Sequence, residues 1–274
     1  MYFCSVQGVA AFLPQKGRQE WRIFSKRTNN SSYIESKINK MIQSTISADI
    51  VSSSSLTVDE KVKISTNIRS FLADLESNSH EQFWGRMVKG DAVEMYCADP
   101  CRALRVALQL KSLVKMQQIY PQENVSLDVI RRRSLFQKYG VRIAIGVGNM
   151  NVVDKSQDLL DGDAIYFSGR LMEHQGTSQK ERAVVKNTLF FKTYDHEMTQ
   201  RMNVILGFLD VIFKKANARQ SEILYLKLAG KTEAEIAGLL HIKQSAVNQH
   251  STALGWNAIE QAVLYYENLK FVNL

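Results

Sequence analysis

The residue types with the clearest chemical use are amides, hydroxyls and lysines near the end of this 274-residue chain. Several of them recur at the short intervals that place side chains on one face of a helix. Their donors and acceptors suit base edges in the major groove of DNA, and the neighbouring ammonium groups suit phosphates. The residues predicted to contact DNA are Lys231, Lys243, Gln244, Ser245, Asn248 and Gln249.

A helix, a tight turn and a second helix are predicted over Thr232–Leu254. Thr232 and Glu235 have the spacing of a capping box, and His241–Lys243 forms the turn. The apolar residues that allow two short helices to cross steeply are Ile236, Ala237, Leu240, Ile242, Ala246 and Val247. A plain helical hairpin with a polar outer face is the alternative. The small Ala237 at the crossing and the amide-rich outer face favour a helix-turn-helix.

A second chemical pattern is a pair of carboxylates. Asp49 ends a predicted strand, and Asp91 follows Gly90 in a predicted turn. In a βαββαβ sheet these two positions lie at one edge, where neighbouring carboxylates can hold Mg²⁺ with a nucleoside triphosphate. Each aspartate alone is more simply interpreted as a capping or turn residue. Both interpretations stay open at this point.

The elements that position these carboxylates follow a regular order from Met41 onward. The predicted elements are strand Thr45–Ser52, helix Val58–Leu75, strands Phe83–Val88 and Ala92–Cys97, helix Cys101–Met116, strand Val141–Val147, helix Asp163–Met172 and strand Ala183–Val185. The order predicts an α+β fold with a ferredoxin-like βαββαβ sheet. Gln117–Gly140 is predicted to be a connection, and its arginines 131–133 are either solvated or bind phosphate.

An all-α region is predicted after this sheet. Met198–Lys215 is a long apolar helix, either buried between two domains or paired with its copy in a dimer. Helix Ala218–Ala229 precedes the helix-turn-helix, and helix Ala258–Leu269 is expected to pack against it through Tyr265 and Tyr266. The predicted regions are a basic extension (1–40), a sheet domain (41–195), a linker or dimer helix (196–217) and a DNA-binding domain (218–274).

Four segments carry a resemblance to a known family. They are A-D-I-V-S (48–52), K-G-D-A-V-E-M-Y (89–96), V-R-I-A-I-G-V-G (141–148) and D-G-D-A-I-Y-F-S-G-R-L-M-E (161–173). In order and approximate spacing they resemble the catalytic domains of class III nucleotide cyclases. With the C-terminal helix-turn-helix, the chain is similar over about residues 41–270 to SatD-type bacterial proteins, which combine these two parts.

The resemblance implies roles for residues at matching positions. Asp49 and Asp91 match the two metal-binding aspartates, and Arg170 matches the arginine that steadies the triphosphate. Mg²⁺ with a nucleotide is the ligand set that this implies. The positions that depart from the family pattern are Tyr166, at the ribose-orienting Asn, and Met87 and Leu159, at the base-reading pair. These departures favour metal or nucleotide binding without turnover over an active cyclase.

The net charge of +8 is unevenly distributed, with +5 in residues 1–40, +2 in residues 41–195 and +1 in residues 196–274. A DNA-binding region of +1 attracts phosphates weakly as a monomer, so a homodimer is expected. Residues 1–40 are either a basic arm or a segment ahead of a start at Met41. No apolar run approaches the length of a membrane span, no secretory signal is recognised, and three cysteines cannot form a disulfide framework. We therefore expect a cytoplasmic protein with no membrane partner.

The leading hypothesis is a bacterial transcriptional regulator that binds double-stranded DNA as a homodimer. Its cyclase-like domain either senses a ligand, such as a nucleotide, or forms the dimer. The first alternative is a metal-dependent enzyme that converts a nucleoside triphosphate at Asp49 and Asp91. The second is an adaptor whose helical region binds another protein.

Overall fold

The computed structural model describes residues 42–78, 82–88, 90–121, 123–174 and 187–271, which all lie in one compact unit, Ile42–Leu274. The predicted extension (1–40) and the predicted strand Ala183–Val185 lie outside these residues. The strands are β1 (Ile42–Ile50), β2 (Phe83–Val88), β3 (Ala92–Cys97), β4 (Val141–Asp154), β5 (Leu159–Gly162) and β6 (Leu189–Lys192).

Helices occupy most of the rest of the described chain. They are α1 (Val58–Asn78), α2 (Ala103–Lys115), α3 (Leu127–Tyr139), α4 (Asp163–His174), α5 (His196–Lys215), α6 (Ala218–Leu228), α7 (Glu233–Leu240), α8 (Gln244–Leu254) and α9 (Trp256–Glu267). In the described ranges, no helix combines the length and the apolar character needed to cross a membrane.

The strands form one sheet in the order β2-β3-β1-β4-β5, and β6 also pairs with β4. The β4–β6 pairing is parallel and the other pairings are antiparallel. Ile46 in the centre of β1 lies opposite Met95 on one side and Ile145 on the other. The predicted mixed α/β character is confirmed, and β2 and β3 have the predicted bounds.

Helices cover both faces of the sheet, and alternate residues of β1 point to one face and then to the other. Ile46, Ala48 and Ile50 belong to the buried core that includes residues of α1 and α2. On the other face, the hydroxyls of Thr45 and Ser47 hydrogen-bond the Ser168 hydroxyl of α4 at 2.9 and 2.8 Å. Close approach of α4 requires a glycine in β4, because a Cβ on Gly146 would lie 2.1 Å from the Ala164 carbonyl oxygen.

The predicted connection Gln117–Gly140 is wrong in its second half, where the structure has helix α3. Ser126 caps this helix by accepting a hydrogen bond from the Val129 amide at 3.4 Å. Arg133 is buried and its guanidinium donates two hydrogen bonds to the Glu60 carboxylate, at 2.6 and 2.8 Å. A solvated Arg133 was therefore the wrong interpretation. Because charged side chains occupy an inward position, apolar spacing did not indicate the helix.

The helices after α5 pack against the helices of the sheet region. Leu228 of α6 and Ile259 of α9 belong to the same core cluster as the sheet, and α6 lies along α2. Tyr266 is fully buried, but its ring contacts Phe191 of β6 and Phe271, and Tyr265 is 44% exposed. The predicted packing of these two tyrosines against the helix-turn-helix is therefore wrong. The predicted boundary between residues 217 and 218 remains a prediction, although apolar packing continues across it.

Candidate nucleic-acid interface and the acidic positions of the sheet

Local hydrogen bonds fix the start of α7 and the turn that follows it. Thr232 and Glu235 form a capping box, in which the Thr232 amide donates to Glu235 Oε2 at 2.8 Å and the Glu235 amide donates to Thr232 Oγ1 at 3.3 Å. His241 ends the helix in the left-handed conformation, with φ of 52°. The Ile242 amide then donates to the Ala237 carbonyl at 3.1 Å. The chain thus reverses within three residues before α8 begins.

A small apolar cluster holds α6, α7 and α8 together. Its fully enclosed members are Ile223, Ile236 and Val247, one from each helix. The residues that pack partly against them are Leu226, Ala237, Leu240 and Ile242. The predicted inward positions of this stretch are therefore the ones that pack in the structure, and Ala246 is half-buried.

The opposite side of α8 faces solvent. Gln244, Ser245, Asn248 and Gln249 are all exposed, as a base-contacting surface requires. Lys243 is also exposed and occupies the N-cap of α8 without a capping side-chain hydrogen bond. The first turn of α8 therefore combines the positive end of a helix with an ammonium group, which suits a phosphate.

Two of the predicted DNA contacts have partners within the protein. Lys231 is 3.4 Å from the carboxylate of Glu235 in an exposed pair, which solvent screens strongly. A hydrogen bond from Lys227 is the main cause that lowers the pKa of Glu233, and a hydrogen bond from Asn248 lowers it further. The Asn248 side chain therefore lies near Glu233 of α7, and both Asn248 and Gln249 are exposed.

Asp49 forms a two-point ion pair in the sheet. It lies opposite Arg142 of β4, whose Nε donates to Asp49 Oδ1 at 2.9 Å and whose Nη2 donates to Oδ2. The pair is half-buried, with the Asp49 side chain 29% exposed. Because both carboxylate oxygens accept from the guanidinium, a cation at Asp49 would share the carboxylate with the positive charge of Arg142.

Asp91 has a different environment. Its Oδ2 accepts a hydrogen bond from Ser53 Oγ at 2.6 Å. It lines a cleft of about 190 Å³ on the side of α1, together with residues such as Ile50 and Lys61. Asp49 instead points to the face of β1 that carries Thr45 and Ser47, so the backbones are neighbours but the carboxylates diverge.

The diverging pair does not present the shared oxygen cluster that Mg²⁺ needs. Across the described parts of the chain, no three His, Cys, Asp or Glu side chains are grouped so that they could hold a metal ion. The metal role of Asp49 and Asp91 therefore stays a prediction. In this structure Asp49 pairs with Arg142, and Asp91 accepts a hydrogen bond from Ser53.

The remaining positions from the resemblance to nucleotide cyclases lie on α4 and on the terminal strands β2 and β5. Arg170 is on the exposed side of α4, where its guanidinium carbon is 4.1 Å from the ring centroid of Tyr166. Met87 packs partly against the core from β2, and Leu159 of β5 is 48% exposed. A hydrogen bond from Arg86 to the Asp158 carbonyl brings the segments of Met87 and Leu159 together.

The pair Asp49–Arg142 gives a first prediction. Replacing Asp49 with Asn should lower the free energy of unfolding by about 1 to 3 kcal/mol, because it removes the negative charge from a half-buried, two-point contact with Arg142. Urea unfolding measures this loss, and Glu260→Gln, at an exposed carboxylate, is the matched control.

Millimolar Mg²⁺ should not raise the melting temperature of the wild type beyond an ionic-strength control. A Mg²⁺-dependent rise that disappears in Asp49→Asn would instead establish the metal site.

An ionic cluster that the sequence did not predict connects α5 to the sheet. Lys111 of α2 and Asp210 of α5 are both fully buried, with Nζ 3.6 Å from Asp210 Oδ1. Asp210 Oδ2 accepts from the Thr188 amide at 2.7 Å and lies 3.4 Å from Lys214. Burial lowers the pKa of Lys111 to about 8. In the sequence, this cluster could have been recognised from Lys111 and Asp210, which each place a charge within the apolar face of a helix.

No protein family and no curated protein matches the chain. Two solved structures of a bacterial light-regulated adenylyl cyclase align with it at 18% identity. The first has a TM-score of 0.37 and covers 55% of this chain and 75% of that one. The second has a TM-score of 0.34 and covers 64% of this chain and 51% of that one. Alignments this weak assign neither a fold family nor an activity to the chain.

Proposed function

We propose that this protein is a DNA-binding transcriptional regulator that inserts α8 into the major groove. The observation that carries the proposal is the unit α7–turn–α8, whose apolar side is closed by Ile236 and Val247 while its amide-bearing side is exposed. A helix-turn-helix needs this division between a packed side and a reading side. In this proposal, base edges are read by Gln244, Ser245, Asn248 and Gln249.

Phosphate contacts come from the start of α8 and from Lys243 and Lys231. These groups fix the position of the protein on the duplex but carry no sequence preference. Since residues 196–274 carry a net charge of only +1, binding needs two copies or the basic residues 1–40.

We propose a homodimer formed through α5. One side of this helix is buried through residues such as Leu206 and Phe213. The other side exposes Val204, Phe208 and Val211, with 60%, 70% and 49% of their surface accessible. These residues recur along one helical face, so a second copy of α5 can cover them. The dimer would place two copies of α8 on one duplex.

The sheet region is proposed to be a ferredoxin-like, cyclase-like domain of the SatD type, which senses a ligand in the cytoplasm. The order β2-β3-β1-β4, with α1 and α2 on one face, supports the ferredoxin-like assignment. Nucleotide conversion at Asp49 and Asp91 is the less favoured alternative, because Arg142 forms a two-point ion pair with Asp49 and because the cleft at Asp91, about 190 Å³, is smaller than typical ligand pockets.

The test is selection of bound sequences from random duplex DNA, followed by mobility shifts on the selected operator. Replacing Asn248 and Gln249 together with Ala should remove about 10²-fold or more of the preference for operator over random DNA. Salt-sensitive non-specific binding should remain, because the lysines are unchanged.

The matched control is Asn257→Ala together with Gln261→Ala, which removes two exposed amides from α9 and should leave the preference intact. Equal operator affinity for wild type and Asn248→Ala/Gln249→Ala would disprove the base-reading assignment. If the full chain binds no duplex at low salt but binds a protein through α7 and α8 instead, the adaptor alternative holds.

A further inference from the structure

A second, larger cleft lies away from both the helix-turn-helix and the aspartates. Its volume is about 580 Å³, which is within the usual range for small-molecule sites. One wall is the end of α2 and the segment after it, a second is α3, and the third is the junction between α5 and α6. The residues that matter below are Lys115, Gln118, Tyr120, Gln137, Lys138 and Lys215.

The charged side chains that line this cleft are all positive. Lys115, Lys138 and Lys215 line it, and among the described lining residues there is no Asp or Glu. Lys138 and Lys215 are exposed, and neither has an ion pair with a carboxylate among the described residues. The Lys138 ammonium lies 5.4 Å from the ring centroid of Tyr139, a contact that leaves its hydrogen-bond donors unused. Their ammonium groups are therefore available to an anion.

The protein interior behind the cleft adds to the positive charge. Lys115 is 6% exposed and donates to the carbonyls of Gln137 and Lys138 at 2.9 and 2.8 Å. Burial and then the neighbouring Lys111 lower the pKa of Lys115 to about 8. Asp210 is the buried carboxylate that offsets Lys111 and Lys214. An anion in the cleft would add negative charge beside Lys115.

The polar and aromatic groups at the cleft suit more than a bare ion. Tyr120 is 69% exposed, and its hydroxyl donates to Gln118 Oε1 at 3.1 Å. An exposed ring held in this way offers a stacking surface for a planar group. The amide of the exposed Gln137 can hydrogen-bond a base or a sugar.

We propose that this cleft binds a phosphorylated small molecule of mononucleotide size. Lys138 and Lys215 contact the phosphate, and Tyr120 stacks on the planar part of the ligand. Because the walls belong to α3 and to the α5–α6 junction, the ligand connects the sheet region to the helix that precedes the helix-turn-helix. Binding at this cleft does not depend on the proposed DNA binding.

Calorimetric titration at constant ionic strength tests the proposal with inorganic phosphate, pyrophosphate, AMP and ATP as probes. Lys138→Gln/Lys215→Gln should weaken nucleotide binding at least about tenfold, the loss expected from charge-assisted hydrogen bonds. Lys63→Gln/Lys270→Gln removes two exposed charges elsewhere and should leave it unchanged. Tyr120→Ala should weaken AMP and ATP about tenfold but leave phosphate and pyrophosphate unaffected.

Three results would overturn the proposal. The first is that no probe binds at millimolar concentration. The second is that both lysine pairs cause the same loss, since the attraction would then come from overall charge. The third is that Asp91→Asn abolishes binding while Lys138→Gln/Lys215→Gln does not, which would place the ligand at the sheet aspartates. The mobility shift on the operator is measured separately, so failure of DNA binding leaves this result interpretable.

Discussion

Replacing Asp210 with Asn is expected to lower the free energy of unfolding by about 3 to 5 kcal/mol. Asp210 is fully buried, and its carboxylate is the counter-charge for Lys111 and Lys214. Lys111 is itself only 1% exposed. The substitution keeps the shape of the side chain but leaves a buried ammonium group without an anion. Urea unfolding at neutral pH, followed by circular dichroism, measures the loss.

A double-mutant cycle separates the pair from the individual side chains. Lys111→Met alone should be about as damaging as Asp210→Asn, and the double variant should recover part of the loss. Asp59→Asn, at an exposed position of α1, is the control for loss of one carboxylate. A change of less than about 1 kcal/mol for Asp210→Asn would contradict the assigned role.

The pH dependence of stability gives an independent readout of the same cluster. Burial lowers the folded-state pKa of Lys111 from 10.5 to about 8, so the unfolded chain binds more protons between these values. The free energy of unfolding should therefore rise with pH from about 8 towards 10. The lowered pKa of Lys115 adds to this rise of the free energy of unfolding with pH. Lys111→Met should reduce this slope, which loss of packing alone would not do.

Phe208→Glu is expected to convert the proposed dimer into a monomer and to weaken the proposed operator binding by about 10² to 10⁴-fold. Phe208 is 70% exposed in the centre of the apolar face that Val204 and Val211 continue. A carboxylate there would meet its own copy across a two-fold interface without a counter-charge. The monomer would then lose the high effective concentration that links the second helix-turn-helix to the same duplex. Analytical ultracentrifugation and mobility shifts measure the two effects.

Val62→Glu on α1 is the matched control, because Val62 is 59% exposed but lies outside the apolar face of α5. It should change neither the mass in solution nor the operator affinity. A wild type that sediments as a monomer at tens of micromolar, or a Phe208→Glu variant that remains dimeric, would exclude α5 as the interface.

Local patterns were sufficient for elements whose apolar and polar residues alternate cleanly. α1 begins at the predicted Val58, and the hairpin strands have their predicted bounds. α3 was missed because Arg133 takes an inward position that an apolar residue usually occupies. Lys111 and Asp210 escaped notice for the same reason, since a single sequence does not show which distant charge will neutralise a buried one.

The sequence by itself determined the capping box at Thr232, the turn at His241–Lys243 and the packed side of α7 and α8, because each depends on residues a few positions apart. Only the tertiary structure decided what the two aspartates contact. Their backbones are brought together by strand pairing, but the pleat turns Asp49 towards Arg142 and leaves Asp91 with Ser53. The cleft with Lys138 and Lys215 likewise exists only after folding, because its walls come from helices that are far apart in the chain.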